Sequence, residues 1–294
     1  MIPKLNKERG IWVAKKAVEM LHSKKPPFDK EETIPEMILP EGVEPDSLEQ
    51  ALFLFYAVSM DSLRNADDLY KSVRGMVREA GAWDILCMEE KELEGLIDKY
   101  MGLGASGSGG PDDPLKTLMT NNNPLLRKYK GDPRNIFKGV SDIDEMIRRL
   151  VEFRQFGPGK SALLLKNYYK LGFIELEDPY DFPIKVDRHV IRISVGTGVM
   201  RFEPEGRYRT EKIVPMLREL YRKITRAEKI DPGELDDALW VIGAKICVKK
   251  KLSYCQTMQC PLEHYCEKLA KMHKKGSYID PRINMREETP GLFR

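Results

Sequence analysis

The sequence has no long apolar run, no strong charge of either sign, few alternating strand patterns and no internal repeat. Its longest apolar run, Ala51 to Val58, is far below the roughly 18 residues a membrane span needs. No apolar core follows the opening M-I-P-K-L-N-K-E-R-G, so a soluble, cytoplasmic chain without a membrane partner is expected. The formal charge is only +3, from 49 basic and 46 acidic residues, too small by itself to announce a nucleic-acid partner. Any such footprint must come from local clustering. Cysteine is scarce as well, with five in 294 residues, and this makes the position of each informative. Strand signals are sparse enough that the fold class reads as all-α or nearly so.

What is present is a succession of helical patterns. Trp12, Val13, Ala17, Val18 and Leu21 repeat at helical spacing, and prolines between Pro26 and Pro45 then mark a linker. Asp46 or Ser47 can cap a helix through Leu48 to Val58, apolar enough to lie centrally in a core. Further helices are predicted over Ala66 to Ala80, around Glu90 to Tyr100 with an end at Gly102, at Asn135, and over Asp142 to Phe153. S-G-S-G-G-P-D-D-P reads as a flexible insertion, and N-N-N-P at Asn121 to Pro124 as another loop. Toward the C-terminus come a Lys- and Arg-rich helix over Thr210 to Ala227 and a helix that Asp231 can cap and that leads to Cys247. Residues 276–294 read as an irregular tail.

Two motifs carry chemistry. In F-R-Q-F-G-P-G-K-S-A, Gly157 and Gly159 bracket Pro158 and Lys160 follows, which predicts a tight turn opening a helix, its glycines free to take positive φ. Amides at such a helix start suit a phosphate. About two dozen residues later Asp187 stands where another helical pattern begins, in V-D-R-H-V-I-R. As a residue, Asp187 reads equally as an N-cap. The second motif is Cys247, Cys255, Cys260 and Cys266, separated by seven, four and five residues. Four thiolates so close in a chain expected to stay reduced point to a metal. Structural zinc and an iron–sulfur cluster both remain, and the lack of paired C-x-x-C knuckles favours the cluster. Cys87, in an apolar helical context, reads as a buried core thiol.

With these in hand the chain resembles the helix-hairpin-helix DNA glycosylase superfamily, in its iron–sulfur, endonuclease III-like branch. Phe153 and Phe156 match the apolar anchors before the hairpin's turn glycine, and Val186 to Arg192 resembles the V-D-x-H-V-x-R segment that holds a catalytic aspartate. Ala51 to Val58 resembles the buried helix of a six-helix barrel, and L-I-D-K-Y-M-G-L the barrel helix ending in a Gly-Leu turn. D-A-L-W-V-I-G-A-K-I-C with P-L-E-H-Y-C-E resembles the helix and closing loop of a cluster. The resemblance implies two helical subdomains. Residues 50–185 would form the six-helix barrel with the hairpin, and residues 1–49 together with 186–275 a domain holding a 4Fe-4S cluster on the four cysteines.

The function so implied is base-excision repair: cleavage of the N-glycosidic bond of a damaged base in double-stranded DNA by a monomer, in the cytoplasm or on the nucleoid of a prokaryote. Asp187 would be the carboxylate opposing positive charge on the sugar. Lys160 would be the amine that attacks C1′ and gives AP-lyase activity through a Schiff base. The hairpin departs from the family's G-x-K-x-A. With Lys160 in the lysine position the enzyme is bifunctional; with the glycines matched instead, Ser161 takes that position and the enzyme is monofunctional. Gly157, Gly159 and Ser161 with Lys249, Lys250 and Lys251 form the expected DNA contacts. His189 reads as structural, His264 as no ligand, and Leu63 and Arg64 lie nearest to where a gap-filling residue would be. The cysteine loops also depart from the family's C-x6-C-x2-C-x5-C, without changing the ligand number. Two other classes stand beside this one: an iron–sulfur DNA-binding protein without catalysis, and a glycosidase acting on a modified nucleoside or RNA.

Overall fold

A computed structural model describes residues 3–30, 34–61, 65–102, 104–107, 110, 112–201, 208–247, 260–263, 266 and 283–284. Among the described residues the fold is all-α apart from four two-residue strands. The chain divides into two compact units, one of residues 35–177 and one of residues 1–34 with 178–294.

The 35–177 unit is built on α2 (Leu48–Ser59), whose residues Gln50 to Ser59 are all buried. Its start is written in the sequence: Ser47 accepts from the Gln50 amide at 3.1 Å, and the Gln50 side chain accepts from the Asp46 amide at 2.7 Å, a variant of the reciprocal capping box. A helix this apolar must be covered on every side. Around it pack α3 (Ala66–Ala80), α4 (Ala82–Cys87), α6 (Pro114–Tyr129) and α8 (Pro158–Lys170), with α5 (Glu90–Met101) against α3 and α7 (Ile143–Leu150) against α8. Two of the buried phenols find carbonyl partners, Tyr56 on Ala82 at 3.1 Å and Tyr168 on Ala51 at 2.6 Å.

Local expectations fail at Asn121 to Pro124 and at Cys87. Asn121 to Pro124 is not a loop but the middle of α6, with Pro124 inside the helix. Asparagines favour loops by bonding to nearby backbone, but two of these three are instead engaged across the fold. Asn121 donates to the Arg154 carbonyl at 3.0 Å and accepts from the Arg154 amide at 2.7 Å, while Asn122 donates to the Ile85 carbonyl at 3.1 Å. Cys87 is exposed rather than buried, because α4 is six residues long and turns Ala82, Ile85 and Leu86 inward, leaving its last residue to solvent.

The other unit packs α1 (Lys7–His22) against α10 (Thr210–Glu228) and α11 (Pro232–Val241), with α9 (Arg188–Gly196) against α11. The approach of α1 to α10 requires glycine: a Cβ at Gly10 would lie 2.6 Å from Cδ1 of Ile224. Ahead of α1, β1 (Lys4–Leu5) pairs antiparallel with β2 (Met200–Arg201), so the chain's start is tied to the end of α9. The segment leading toward Asp187 is fastened to α10. Arg222 holds Asp181 at 2.9 Å, Thr225 donates to the Tyr180 carbonyl at 3.0 Å, and the Lys229 ammonium stands 4.7 Å from the Tyr180 ring centre. Asp231 caps α11 as expected, accepting from the Glu234 amide at 2.8 Å. Part of the C-terminal segment expected to be irregular is a strand: β4 (Ile283–Asn284) pairs in parallel with β3 (Tyr208–Arg209).

Candidate nucleic-acid interface and catalytic residues

The hairpin lies in the 35–177 unit between α7 and α8. Phe153 and Phe156 are buried, and both rings pack on Phe55 of α2, at centroid distances of 5.3 and 5.1 Å, with Tyr129 5.9 Å from Phe153. This aromatic cluster seats the turn on the central helix. The turn itself differs from the expected one. Gly157 has φ −93° and ψ 175°, an extended conformation open to any residue, and Gly159 lies inside α8. Pro158, whose fixed φ suits the first helical position, commits the chain to helix at once, so the reversal must occur earlier. It occurs at Gln155, which takes φ 69° without being glycine.

The start of α8 is bare. No side chain caps it and its first turn holds no acidic residue. A Cβ built at Gly157 meets nothing within 4 Å. Ser161 N–H bonds to the Gly157 carbonyl at 2.9 Å, closing the first turn of the helix behind the amides of its start. Such amides with the positive end of the helix dipole can hold an anion. The Lys160 ammonium donates to the Ser59 carbonyl, at the end of α2, at 3.0 Å, and stands 3.5 Å from Oε1 of Gln155. Ser161 is fully buried, and its Oγ has no protein partner.

Asp187 belongs to the other unit, at the N-cap of α9. Its Oδ1 accepts both the His189 amide, at 2.7 Å, and the Val190 amide, at 3.1 Å. Two residues earlier Lys185 donates its amide to Oδ1 of Asp236, a buried carboxylate on α11, at 2.8 Å. Asp236 thus anchors the approach to Asp187. Nothing in D-P-G-E-L-D-D marks which of its acids has that role, so sequence reasoning missed it.

His189 is packed rather than presented. Its Nδ1 lies 2.8 Å from Nη2 of Arg192, its ring meets Trp240 edge-on at 6.3 Å, and burial holds its pKa below the ordinary value. Arg192 can only donate, so Nδ1 accepts and the imidazole is neutral. The backbone of residue 243 comes so close that a Cβ on Gly243 would stand 2.4 Å from that of His189. Gly243 lies in a π-helical turn, Ile242–Ile246, which ends α11 and delivers Cys247. The Cys247 thiol is pushed up by burial, against the pull of the Arg192 guanidinium beside it. Cys260 packs on the core of this unit, and Cys266 lies next to Gly196 at the end of α9, its Sγ 3.5 Å from where a Cβ would be.

Among the described residues, no three His, Cys, Asp or Glu side chains stand together as a metal-binding group. Cys255, Lys249, Lys250, Lys251, His264, Leu63 and Arg64 lie outside the described residues. The 35–177 unit also has an open cavity of about 510 Å³, lined among others by Arg134, Lys138, Phe173 and Glu175, which none of the residues singled out from the sequence lines.

No protein-family model matches this sequence, and no curated protein does. The fold is nonetheless similar to that of a solved endonuclease III, described as a trapped covalent intermediate with DNA in an estranged-adenine complex. The likeness has a TM-score of 0.55 at 18% identity, over 92% of this chain and 100% of the other. No helix among the described residues is long and apolar enough to cross a membrane.

Proposed function

We propose that this chain is a DNA glycosylase of the helix-hairpin-helix superfamily that removes a damaged base from double-stranded DNA and then acts as an AP lyase. The observation that carries the reading is the bare, glycine-bounded start of α8 with a lysine in its first turn, on a fold similar over 92% of the chain to an endonuclease III trapped covalently on DNA. In this reading a duplex phosphate is held at the start of α8, which has no side-chain cap and no acidic residue in its first turn, by amides near Gly157, Gly159 and Lys160. For the flipped nucleotide this reading assigns one task to each of two residues. Asp187 opposes the positive charge that grows on the sugar as the C1′–N bond stretches, and the amides of His189 and Val190 hold its carboxylate in one orientation.

Lys160 is the nucleophile. Its neutral amine attacks C1′ as the bond to the base breaks, the electron pair leaving on the base; the nitrogen then loses a proton, and its lone pair forms the C=N bond of a Schiff base as the C1′–O4′ bond breaks and O4′ takes a proton. Loss of a proton from C2′ with cleavage of the C3′–O bond, the phosphate leaving with the electron pair, cuts the strand. The burial of Ser161 supports this register over the one that would put serine in the lysine position. Lys249, Lys250 and Lys251 add backbone contacts to DNA in this reading.

The cofactor in this reading is a 4Fe-4S cluster on Cys247, Cys255, Cys260 and Cys266. The donor set fits: four thiols, of which the three described are half-buried on one unit, with the Arg192 guanidinium beside one of them. When bound it supplies no bond-breaking chemistry but fixes the basic loop that the first two cysteines bound. Purified protein is expected to be yellow-brown and to carry iron and sulfide; a colourless zinc protein would sink this assignment.

Borohydride trapping on duplexes with abasic sites and a panel of oxidised, deaminated and alkylated bases tests the whole reading. A covalent adduct formed by the wild type and lost in Lys160→Ala is the expected result, and the panel identifies the lesion. Base release without an adduct would leave a monofunctional glycosylase, and no release from any duplex would leave a DNA-binding protein.

A further inference from the structure

The Lys- and Arg-rich helix α10 has no part in the reaction so far. Arg218, Arg222 and Arg226 recur on it every fourth residue and so run along one side. Two of the three meet carboxylates of the segment that leads to Asp187: Arg226 lies 3.2 Å from Asp178 and Arg222 lies 2.9 Å from Asp181. As the chain runs from Asp178 to Asp181 its partners step back from Arg226 to Arg222, so the segment ascends α10 toward the helix start on its way to Asp187. Arg218 is the next position of the stripe in that direction, one turn and about 6 Å farther. The chain after Asp181 reads F-P-I-K, with no acid to meet it. Among the described residues no carboxylate lies beside Arg218: it is half-buried, its Nε is shut from solvent without a hydrogen-bond partner, and burial alone acts on its pKa, lowering it.

A half-buried cation without a counter-ion costs stability, and a guanidinium does not shed its charge near neutral pH to escape that cost. Its planar fork of N–H donors matches the oxygens of a phosphate. We propose that Arg218 is a DNA-binding residue that takes a backbone phosphate of the duplex, a contact additional to the one at the start of α8 and made by the unit that carries Asp187. The proposal rests on the reading of this chain as a DNA glycosylase. It accounts for the difference within the stripe: Arg222 and Arg226 fasten the approach to Asp187 and need carboxylates of the chain, whereas Arg218 receives its anion from the substrate.

The test is affinity for a duplex carrying one tetrahydrofuran abasic analogue, measured against salt concentration, with the melting temperature of the free protein alongside. The slope of log affinity against log salt counts the phosphates held, at about 0.9 for each on B-DNA. Arg218→Met keeps an unbranched stem and removes the charge. It is expected to weaken binding by about tenfold or more and to make the slope shallower by about one, while the melting temperature holds or rises, because the free protein loses a charge that nothing in it answered. Arg218→Lys keeps the charge without the fork, so the slope stays and the loss of affinity is smaller. Arg226→Met removes the same charge from the same helix, but one already answered by Asp178, and should leave the slope as it is. An unmoved slope in Arg218→Met, an equal change in Arg226→Met, or a fall in melting temperature with affinity retained overturns the proposal and leaves the glycosylase reading standing. If the wild type binds no duplex, both fall together. Should Arg218→Met fold poorly, Arg218→Gln, which removes the charge but keeps a polar end, decides with the same expected changes.

Discussion

The two helices that carry the candidate catalytic residues begin in opposite ways. α9 starts on a carboxylate, Asp187, that takes two of its own amides, and α8 starts on Gly157 with no side chain at all. At α9 the positive end of the helix is already answered by the protein, which holds the carboxylate in one orientation. At α8 no side-chain cap and no acidic residue of the first turn answers it, which leaves the start suited to an anion from outside. One start therefore suits fixing a charge and the other suits receiving one, and in the proposed reaction these are the tasks of stabilising the sugar cation and seating a phosphate.

The largest effect is expected where the bare start is anchored. Phe55→Ala removes the ring on which Phe153 and Phe156 both pack, and a loss of about 3–5 kcal/mol is expected for a buried Phe→Ala change, measured by denaturant unfolding. An unchanged midpoint would mean that the aromatic cluster does not seat the hairpin. At the other start, Asp187→Asn separates cap from charge, because asparagine caps as well as aspartate. Stability should move by less than about 0.5 kcal/mol, while base release falls by about 10²–10³-fold. A fall in stability with activity retained would reduce Asp187 to a cap.

The comparison can also be broken deliberately. Gly157→Asp gives α8 the kind of start that α9 has, into open space and at a φ that aspartate accepts. It should raise stability by about 0.5–1 kcal/mol and lower duplex affinity by about tenfold, since the new carboxylate competes with phosphate. Undiminished affinity would exclude the start of α8 as a phosphate site. The smallest effect is in pH. His189 lies among Asp187, Arg188 and Arg192, and burial, the largest influence, lowers its pKa, so the unfolded chain takes up the proton first. Stability is then full above the unfolded value of about 6.5 and declines as pH falls through it toward the lower folded value. The melting temperature should drop between about pH 7 and pH 5, and His189→Gln should flatten that slope.

Much of this was legible in local sequence. Ser47, Asp142 and Asp231 cap the helices they precede, and Ala66–Ala80 is a helix to the residue, because caps and periodicity act over one or two turns. Asn121 to Pro124 was illegible for the opposite reason. By local preference it is a loop, and it is helical with Asn121 and Asn122 engaged by Arg154 and Ile85, 33 and 37 residues away in sequence. Cys87 misleads in the same way, since apolar neighbours do not say which side of a short helix meets solvent.

Composition and spacing by themselves determined that the chain is helical, that a lysine follows a glycine-bounded helix start, and that Asp187 precedes another. These are properties of a few adjacent residues, which the chain expresses wherever it lies. Tertiary structure alone decided that the hairpin reverses at Gln155 rather than at a glycine, that Ser161 is buried, and that Asn121 and Asp236 hold the two approaches. Each of those depends on a hydrogen bond or a packed ring between residues far apart in sequence, and no local pattern encodes which distant partner a polar side chain will find.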